Sequence, residues 1–392
     1  NKPKKKIIVI QLGARMHYAV PALLDQNKNL ISFYTDIHSS HFLFKLINFL
    51  IPPKLQFKKL KNLLSRKLPN KLNKRLVKDQ LISSLFFFNN SKKRTEILFL
   101  RVIKENFSGA TAIYTNFIND DIEIIRKAKN LGIEIIHEVI INPTSGLTML
   151  EENDLFPNVE LSFDSPEIVK KGLELDLIKW ELSDKLIVAS KVVRDSLISF
   201  GIDKKKIFLV PYGINEEWFK YKATPKKGKI LFVGLVGLRK GVHYLAMAER
   251  ILKSRGYNYE IEAAGLNLVD TNIDLFKGPK YLGHIPRNEI IKEYLSADVL
   301  VLPTIAEGFG LVHLEAMACG VPIITTKECG STIEDNKEGY IIPIRDPIAI
   351  ADSIVKIVEN RDLRDKISKA AKIKAREFTW VQYRERLLKA ID

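Results

Sequence analysis

Residues 307–322 (EGFGLVHLEAMACGVP) constrain the fold more than any other stretch. Ahead of them, 297–303 (ADVLVLP) is an apolar run of the kind found in a buried strand of a parallel sheet. After Gly308 and Gly310, residues 311–319 have helical periodicity and strong helix formers, and Gly320 falls where a helix cap belongs. Residues 321–326 predict the next strand. Strand, glycine loop, helix and strand together aim the free N–H groups of a helix start at a phosphate. Glycines let the backbone approach a ligand closely. Glu307 stands in the loop mouth and Glu315 two helical turns later. Two carboxylates beside an anion site suit a ligand that carries hydroxyls near its phosphates, which means a nucleotide sugar.

A lone GxG is most simply a capped strand-helix turn with one solvated and one structural Glu. Here the whole run EGFGLVHLEAMACGVPIITT, with its glutamates eight apart, resembles the signature of the retaining nucleotide-sugar glycosyltransferases of family 4. The resemblance implies an α/β chain with the GT-B fold: two doubly wound, Rossmann-like parallel-sheet domains facing a cleft. It runs from about Lys6 to the end, is strongest over 230–345, and is weak or absent over 41–106.

The length of 392 residues agrees with two domains. They are expected at 1–221 (acceptor side, with a basic insertion at 41–106) and 222–378 (nucleotide-sugar binding), with 379–392 as a terminal helix packing back on the first. The linker is placed in 221–228 (YKATPKKG), which is short, basic and contains Pro and Gly. Two cysteines, Cys319 and Cys329, provide neither a disulfide framework nor a zinc ligand set, so a cytoplasmic location is expected. No signal peptide and no apolar run of bilayer-spanning length is recognised.

The charge is concentrated. Residues 42–104 carry sixteen Lys or Arg against two acids, Asp79 and Glu96, a net +14 of the chain's +16. Phe42, Leu46, Phe49 and Leu50 share one helical face, with Lys45 on another side, and Pro52-Pro53 breaks that helix. Leu60, Leu63, Leu64 and Leu68 then repeat the pattern among Lys58, Lys59, Lys61, Arg66 and Lys67. A second apolar run covers 81–88. Basic amphipathic segments of this kind predict an anionic membrane surface as partner, against the plainer reading of a solvated helical insertion. Nucleic acid is the less favoured partner, because no basic-aromatic stacking pattern or zinc module accompanies the charge.

Elsewhere the chain alternates regularly. Strands are expected near 6–11, 30–34, 111–115, 133–139, 207–210, 229–233 and 260–264. Gly13 opens the loop after the first strand, where a ligand meets the strand ends. His17 stands at the start of the first helix. Asp120-Asp121 begins a helix, where acids cap amides and favour the dipole, so no metal pair is assigned. Residues 142–163 are expected as a long loop and a plausible acceptor surface. In the second half, 234–241 (GLVGLRKG) is another glycine loop before a helix, now with Arg239 and Lys240 adjacent. A diphosphate needs that combination, with Arg for bidentate bonds and Lys as a point charge.

The resemblance implies roles for these residues. Arg239, Lys240 and the amides around Gly310 and Leu311 would oppose the departing diphosphate, Glu307 would bind the donor sugar and Glu315 the ribose. Gly308, Phe309 and Gly13 would also line the donor site, and the backbone near Ile285 would meet the base. His137, at the end of its strand, would orient the sugar. Many members have Arg directly after the first glycine of the second loop, where this chain has Leu235, so the guanidinium role is carried by Arg239. The expected reaction is retaining transfer of a hexose to a glycan or lipid-linked acceptor in cell-surface polysaccharide or glycolipid synthesis, with no cofactor and no metal. The alternatives are an inverting transferase or an epimerase that uses His17 as base, and a non-catalytic sugar-nucleotide-binding membrane scaffold.

Overall fold

The computed structural model describes residues 4–51, 60, 63–117, 121–160, 164–286 and 289–392, without the side chains of 43, 45 and 48. Pro52-Pro53, Lys58, Lys59, Lys61, Asp120 and the Lys45 side chain, all used in the sequence reading, lie outside the described residues.

Two parallel sheets carry the fold. The first is built from β1 (Ile7–Ile10), β2 (Leu30–Tyr34), β3 (Val77–Lys78), β4 (Ala112–Thr115), β5 (Glu134–Val139), β6 (Lys185–Val188) and β7 (Ile207–Leu209), in the order β3-β2-β1-β4-β5-β6-β7. The second contains β8 (Lys229–Val233), β9 (Glu260–Ala264), β10 (Lys280–Gly283), β11 (Val299–Leu302), β12 (Ile323–Thr326) and β13 (Gly339–Ile342), in the order β10-β9-β8-β11-β12-β13. Each order reverses beside its first strand, so β1 lies between β2 and β4 and β8 between β9 and β11. Those reversals leave a crevice at the strands' carboxyl ends, where α/β sheets bind ligands. The apolar runs form the strands because both sheet faces are covered: all four residues of β11 are buried.

The chain divides into two compact units. One comprises 1–138, 172–187 and 391–392; the other comprises 139–171 and 188–390. Most predicted elements are where the periodicity put them, including the helix Val242–Ser254 after the second glycine loop and the terminal helix Trp380–Ile391, which the helices Pro347–Glu359 and Arg361–Ala375 precede.

Three expectations are corrected. The long loop at 142–163 contains a helix, Ser145–Leu155. Asn142-Pro143 and Gly146 gave that stretch a loop-like composition, but its residue Glu152 is fully buried and ion-paired. Asp121 does not cap the helix it precedes, since its side chain makes no cap bond and is buried against Lys179. The apolar stripe of the basic insertion splits in two. Leu60, Leu63 and Leu64 turn inward with Phe44 and Ile37 to form a small core, whereas Phe42, Leu46, Phe49 and Leu50 face outward. Among the described residues, no helix is long and apolar enough to cross a membrane.

Candidate active site

In the second unit, the loop after β11 and the loop after β8 meet. Gly241 has a left-handed backbone (φ +69°), and a Cβ there would stand 1.9 Å from the Pro303 carbonyl oxygen. The Ile305 amide donates to the Arg239 carbonyl at 2.9 Å, which completes the join. Backbone contact therefore brings together residues nearly seventy positions apart. Lys240 Nζ and Arg239 Nη1 both reach Glu307 Oε2, the latter at 3.0 Å, and Arg239 also donates to the Ala306 carbonyl at 3.1 Å. Burial would raise the Glu307 pKa, but Lys240 and then Arg239 outweigh it and hold the carboxyl below its usual range. Glu307 is thus ionised at neutral pH and fixed by two cations.

The two glycines of the signature serve this packing. A Cβ on Gly308 would lie 2.1 Å from the Ile140 carbonyl oxygen. Its own carbonyl accepts from the Ser190 hydroxyl at 2.7 Å. Gly310 stands against His313 and Cys329, whose Sγ is 3.5 Å from His313 Nε2. His313 is buried, and burial followed by the Lys240 charge pushes its pKa down to about 3. Phe309 packs edge-on to Tyr212 with centroids 5.3 Å apart. Leu311 is half-buried and opens the helix Leu311–Ala318. On that helix Glu315 accepts from the buried Tyr294 hydroxyl at 3.1 Å. Ile285, just after β10, is half-buried.

A cavity of about 330 Å³ opens beside Arg239 and Lys240, with Leu235, Gly237, Glu160 and Asp164 among its lining. Glu160 Oε2 accepts from the Leu238 amide at 3.0 Å. Behind the loop, the buried Glu152 bridges His243 Nε2 at 2.8 Å and Arg345 Nε at 2.7 Å. Burial would raise the Glu152 pKa, yet the bonds from His243 and Arg345 lower it. The sequence reading missed Glu152, Glu160, Ser190, His313 and Arg345. His313 lay inside the signature; the others carry no local signal.

In the first unit, Gly13 follows β1 with φ +67°, and its amide donates to the buried Asp36 Oδ1 at 2.8 Å. Asp36 also pairs with Arg66 at 3.2 Å and lies 3.7 Å from Arg94. His17 is exposed and lies in a run of three left-handed residues, Met16 to Tyr18. His137 ends up buried, with Nδ1 3.9 Å from Asp121 Oδ2. Burial and the nearby Lys179 ammonium hold its pKa well below the usual imidazole value, so the ring is neutral. Arg239, Lys240, Glu307 and Gly308 are therefore in direct contact, while Gly13 and His137 belong to the other unit.

Part of the chain matches a known family. Residues 214–374 match the family model described as glycosyl transferases group 1. The capsular polysaccharide biosynthesis glycosyltransferase CapM of Staphylococcus aureus is 30% identical over 205 residues, 46% of this chain and 54% of CapM. The amylovoran biosynthesis glycosyltransferase AmsK of Erwinia amylovora is 29% identical over 194 residues, 45% of this chain and 47% of AmsK. The chain thus spans about half the length of these curated relatives. Among solved structures, Anabaena HepE in complex with UDP-glucose superposes with a TM-score of 0.64 at 14% identity, covering 99% of both chains. At that identity the likeness concerns the fold. Residues 214–374 thus match a group 1 glycosyl transferase domain, and the chain carries the GT-B fold.

Proposed function

We propose that this chain is a retaining hexosyltransferase, taking a sugar from a nucleotide diphosphate to a glycan or lipid-linked acceptor in cell-surface polysaccharide or glycolipid synthesis. The observation that carries the reading is the Arg239–Glu307–Lys240 cluster, held where two glycine loops join. In the reaction the bond from the anomeric carbon to the diphosphate oxygen breaks and the acceptor oxygen bonds on the same face. The acceptor proton passes to the departing phosphate. Arg239 and Lys240 offset the charge that develops on that phosphate, which is electrostatic stabilisation by preorganised groups. Glu307 hydrogen-bonds the donor sugar, Glu315 the ribose, and the amides of Gly310 and Leu311 the phosphates. Phe309 and Gly308 shape the loop, Gly13 approaches the diphosphate, the backbone near Ile285 meets the base, and the neutral His137 ring orients the sugar. With two cations and loop amides opposing the diphosphate, the reaction needs no metal and no cofactor.

Residues 1–221 serve the acceptor, 222–378 the donor, and 379–392 close the chain as a helix. The outward apolar faces of the insertion within 41–106 support a peripheral seat on the cytoplasmic face of an anionic membrane. CapM and AmsK, named for polysaccharide biosynthesis, support the product class, and the HepE complex makes UDP-sugars the first donors to try.

The test is a thermal shift series with UDP-, GDP-, ADP- and TDP-sugars, with and without EDTA, followed by NMR of the product's anomeric proton. Stabilisation by one nucleotide class, unchanged by EDTA, with retained configuration is expected. An inverted product would overturn the retaining assignment, and binding without transfer would leave a non-catalytic scaffold. The second reading, an inverting transferase or epimerase with His17 as base, rests on that residue's exposed, left-handed position. Full activity of His17→Ala excludes it.

A further inference from the structure

The helix Phe42–Leu50 is apolar on two faces. Phe44 and Ile47 pack inward on Ile37, Leu60, Leu63 and Leu64. Phe42 (79% exposed), Leu46, Phe49 (83%) and Leu50 point outward at the i, i+4, i+7, i+8 spacing of a single stripe. The neighbouring helix Leu81–Phe86 repeats the arrangement, with Leu81 packed on the same inner cluster and Ile82, Leu85 and Phe86 exposed. A soluble surface rarely carries so many large apolar side chains together.

The inward Phe44 of the same helix walls a cavity of about 440 Å³, edged by Ser39, Ser40, Asn70, Lys67 and Lys74. Its polar groups suit an anion. Ser40 Oγ accepts from the Leu68 amide at 3.1 Å, which leaves its proton to donate. Among the described residues, neither Lys67 nor Lys74 has a carboxylate partner, and both are exposed. Among the described residues, no acid lines the cavity. One helix therefore supplies both the cavity wall and the outward apolar stripe.

We propose that this cavity is a headgroup site for an anionic phospholipid. Lys67, Lys74 and the Ser40 hydroxyl hold the phosphate while the two apolar stripes enter the acyl boundary. The proposal rests on the membrane-surface part of the proposed function and is independent of the transfer chemistry. It commits to a lipid because one helix carries both a wall of the cationic cavity and the apolar stripe. A free anion would use the cavity and leave the stripe in water.

The experiment is flotation of the full chain with two vesicle types, phosphatidylcholine alone and phosphatidylcholine containing about a third phosphatidylglycerol, matching an anionic leaflet. Binding to the anionic vesicles only is expected. Lys67→Gln/Lys74→Gln should weaken it about thirty-fold, the product of two cations near an anionic surface. The control Lys204→Gln/Lys205→Gln, equally exposed lysines outside the insertion, should change it less than about two-fold. Phe42→Ser/Phe49→Ser should abolish it. Equal loss in the control pair would reduce the effect to diffuse charge and overturn the headgroup site; wild-type binding by the Phe variant would overturn docking. Because the substituted side chains are solvent-exposed, all variants should melt as wild type and keep their nucleotide-sugar thermal shift. A lost shift would instead report on the donor site.

Discussion

Gly241 presses its α-carbon against the carbonyl of Pro303, leaving no room for a side chain. That contact joins the loop carrying Arg239 and Lys240 to the loop carrying Glu307. Gly241→Ala should cost about 1–2 kcal/mol from the left-handed backbone alone, with the collision in addition. Urea denaturation should show a lower midpoint, and donor-induced stabilisation should be lost with it. A variant that keeps its donor shift would show that the two loops need not touch.

Lys240→Ala should lower kcat by about 10²–10³-fold, the usual effect of removing one group that stabilises developing charge. Nucleotide-diphosphate affinity should fall much less. Equal losses in both would reduce Lys240 to a binding residue.

Glu152 is a buried carboxylate between His243 and Arg345, and its loss strands both partners. Glu152→Ala should destabilise the chain by about 3–5 kcal/mol, and Glu152→Gln by less. Hydrogen exchange should locate the loosening in the helix Ser145–Leu155. Unchanged protection there would show that the helix is held by apolar packing alone.

His313 gives a pH dependence whose sign is determined by its burial. Its folded pKa is depressed to about 3 from an ordinary 6.5, so the unfolded chain binds a proton that the folded chain refuses. The stability is fully present above about pH 6.5 and is lost as pH falls towards 3, on the order of 4 kcal/mol over the window. His313→Gln should flatten the stability profile between pH 7 and 4 measured by urea titration. A profile as steep as wild type would assign acid sensitivity to other groups.

Much of this fold is legible without coordinates, because parallel strands buried on both faces must be apolar runs and their loops must carry glycine. β8, β9, β11 and β12 needed nothing else. The helix Ser145–Leu155 was not legible: its determinant is Glu152, and its partners lie 91 and 193 residues away. β13 was overlooked, and β3 is only two residues long. Residue types, spacing and the family resemblance singled out Arg239, Lys240 and Glu307, and their side chains meet in the fold. Which atoms force a glycine at 308 or 241 was hidden, since Ile140 and Pro303 act through backbone carbonyls that any residue could offer. Asp121 looked like a helix cap for the same reason, as nothing in its neighbourhood along the chain announces Lys179.

The packing around Gly308 bears on how this loop could be redesigned. Its α-carbon is closed off by Ile140, its carbonyl is taken by Ser190, and Gly330 fits beneath that same carbonyl. A loop exchanged here with one from a relative would therefore arrive without its supports. Chimeras that move residues 303–310 alone should misfold at the graft, whereas a transplant that carries 139–141, 190 and 329–330 with it should give a soluble enzyme with altered donor choice.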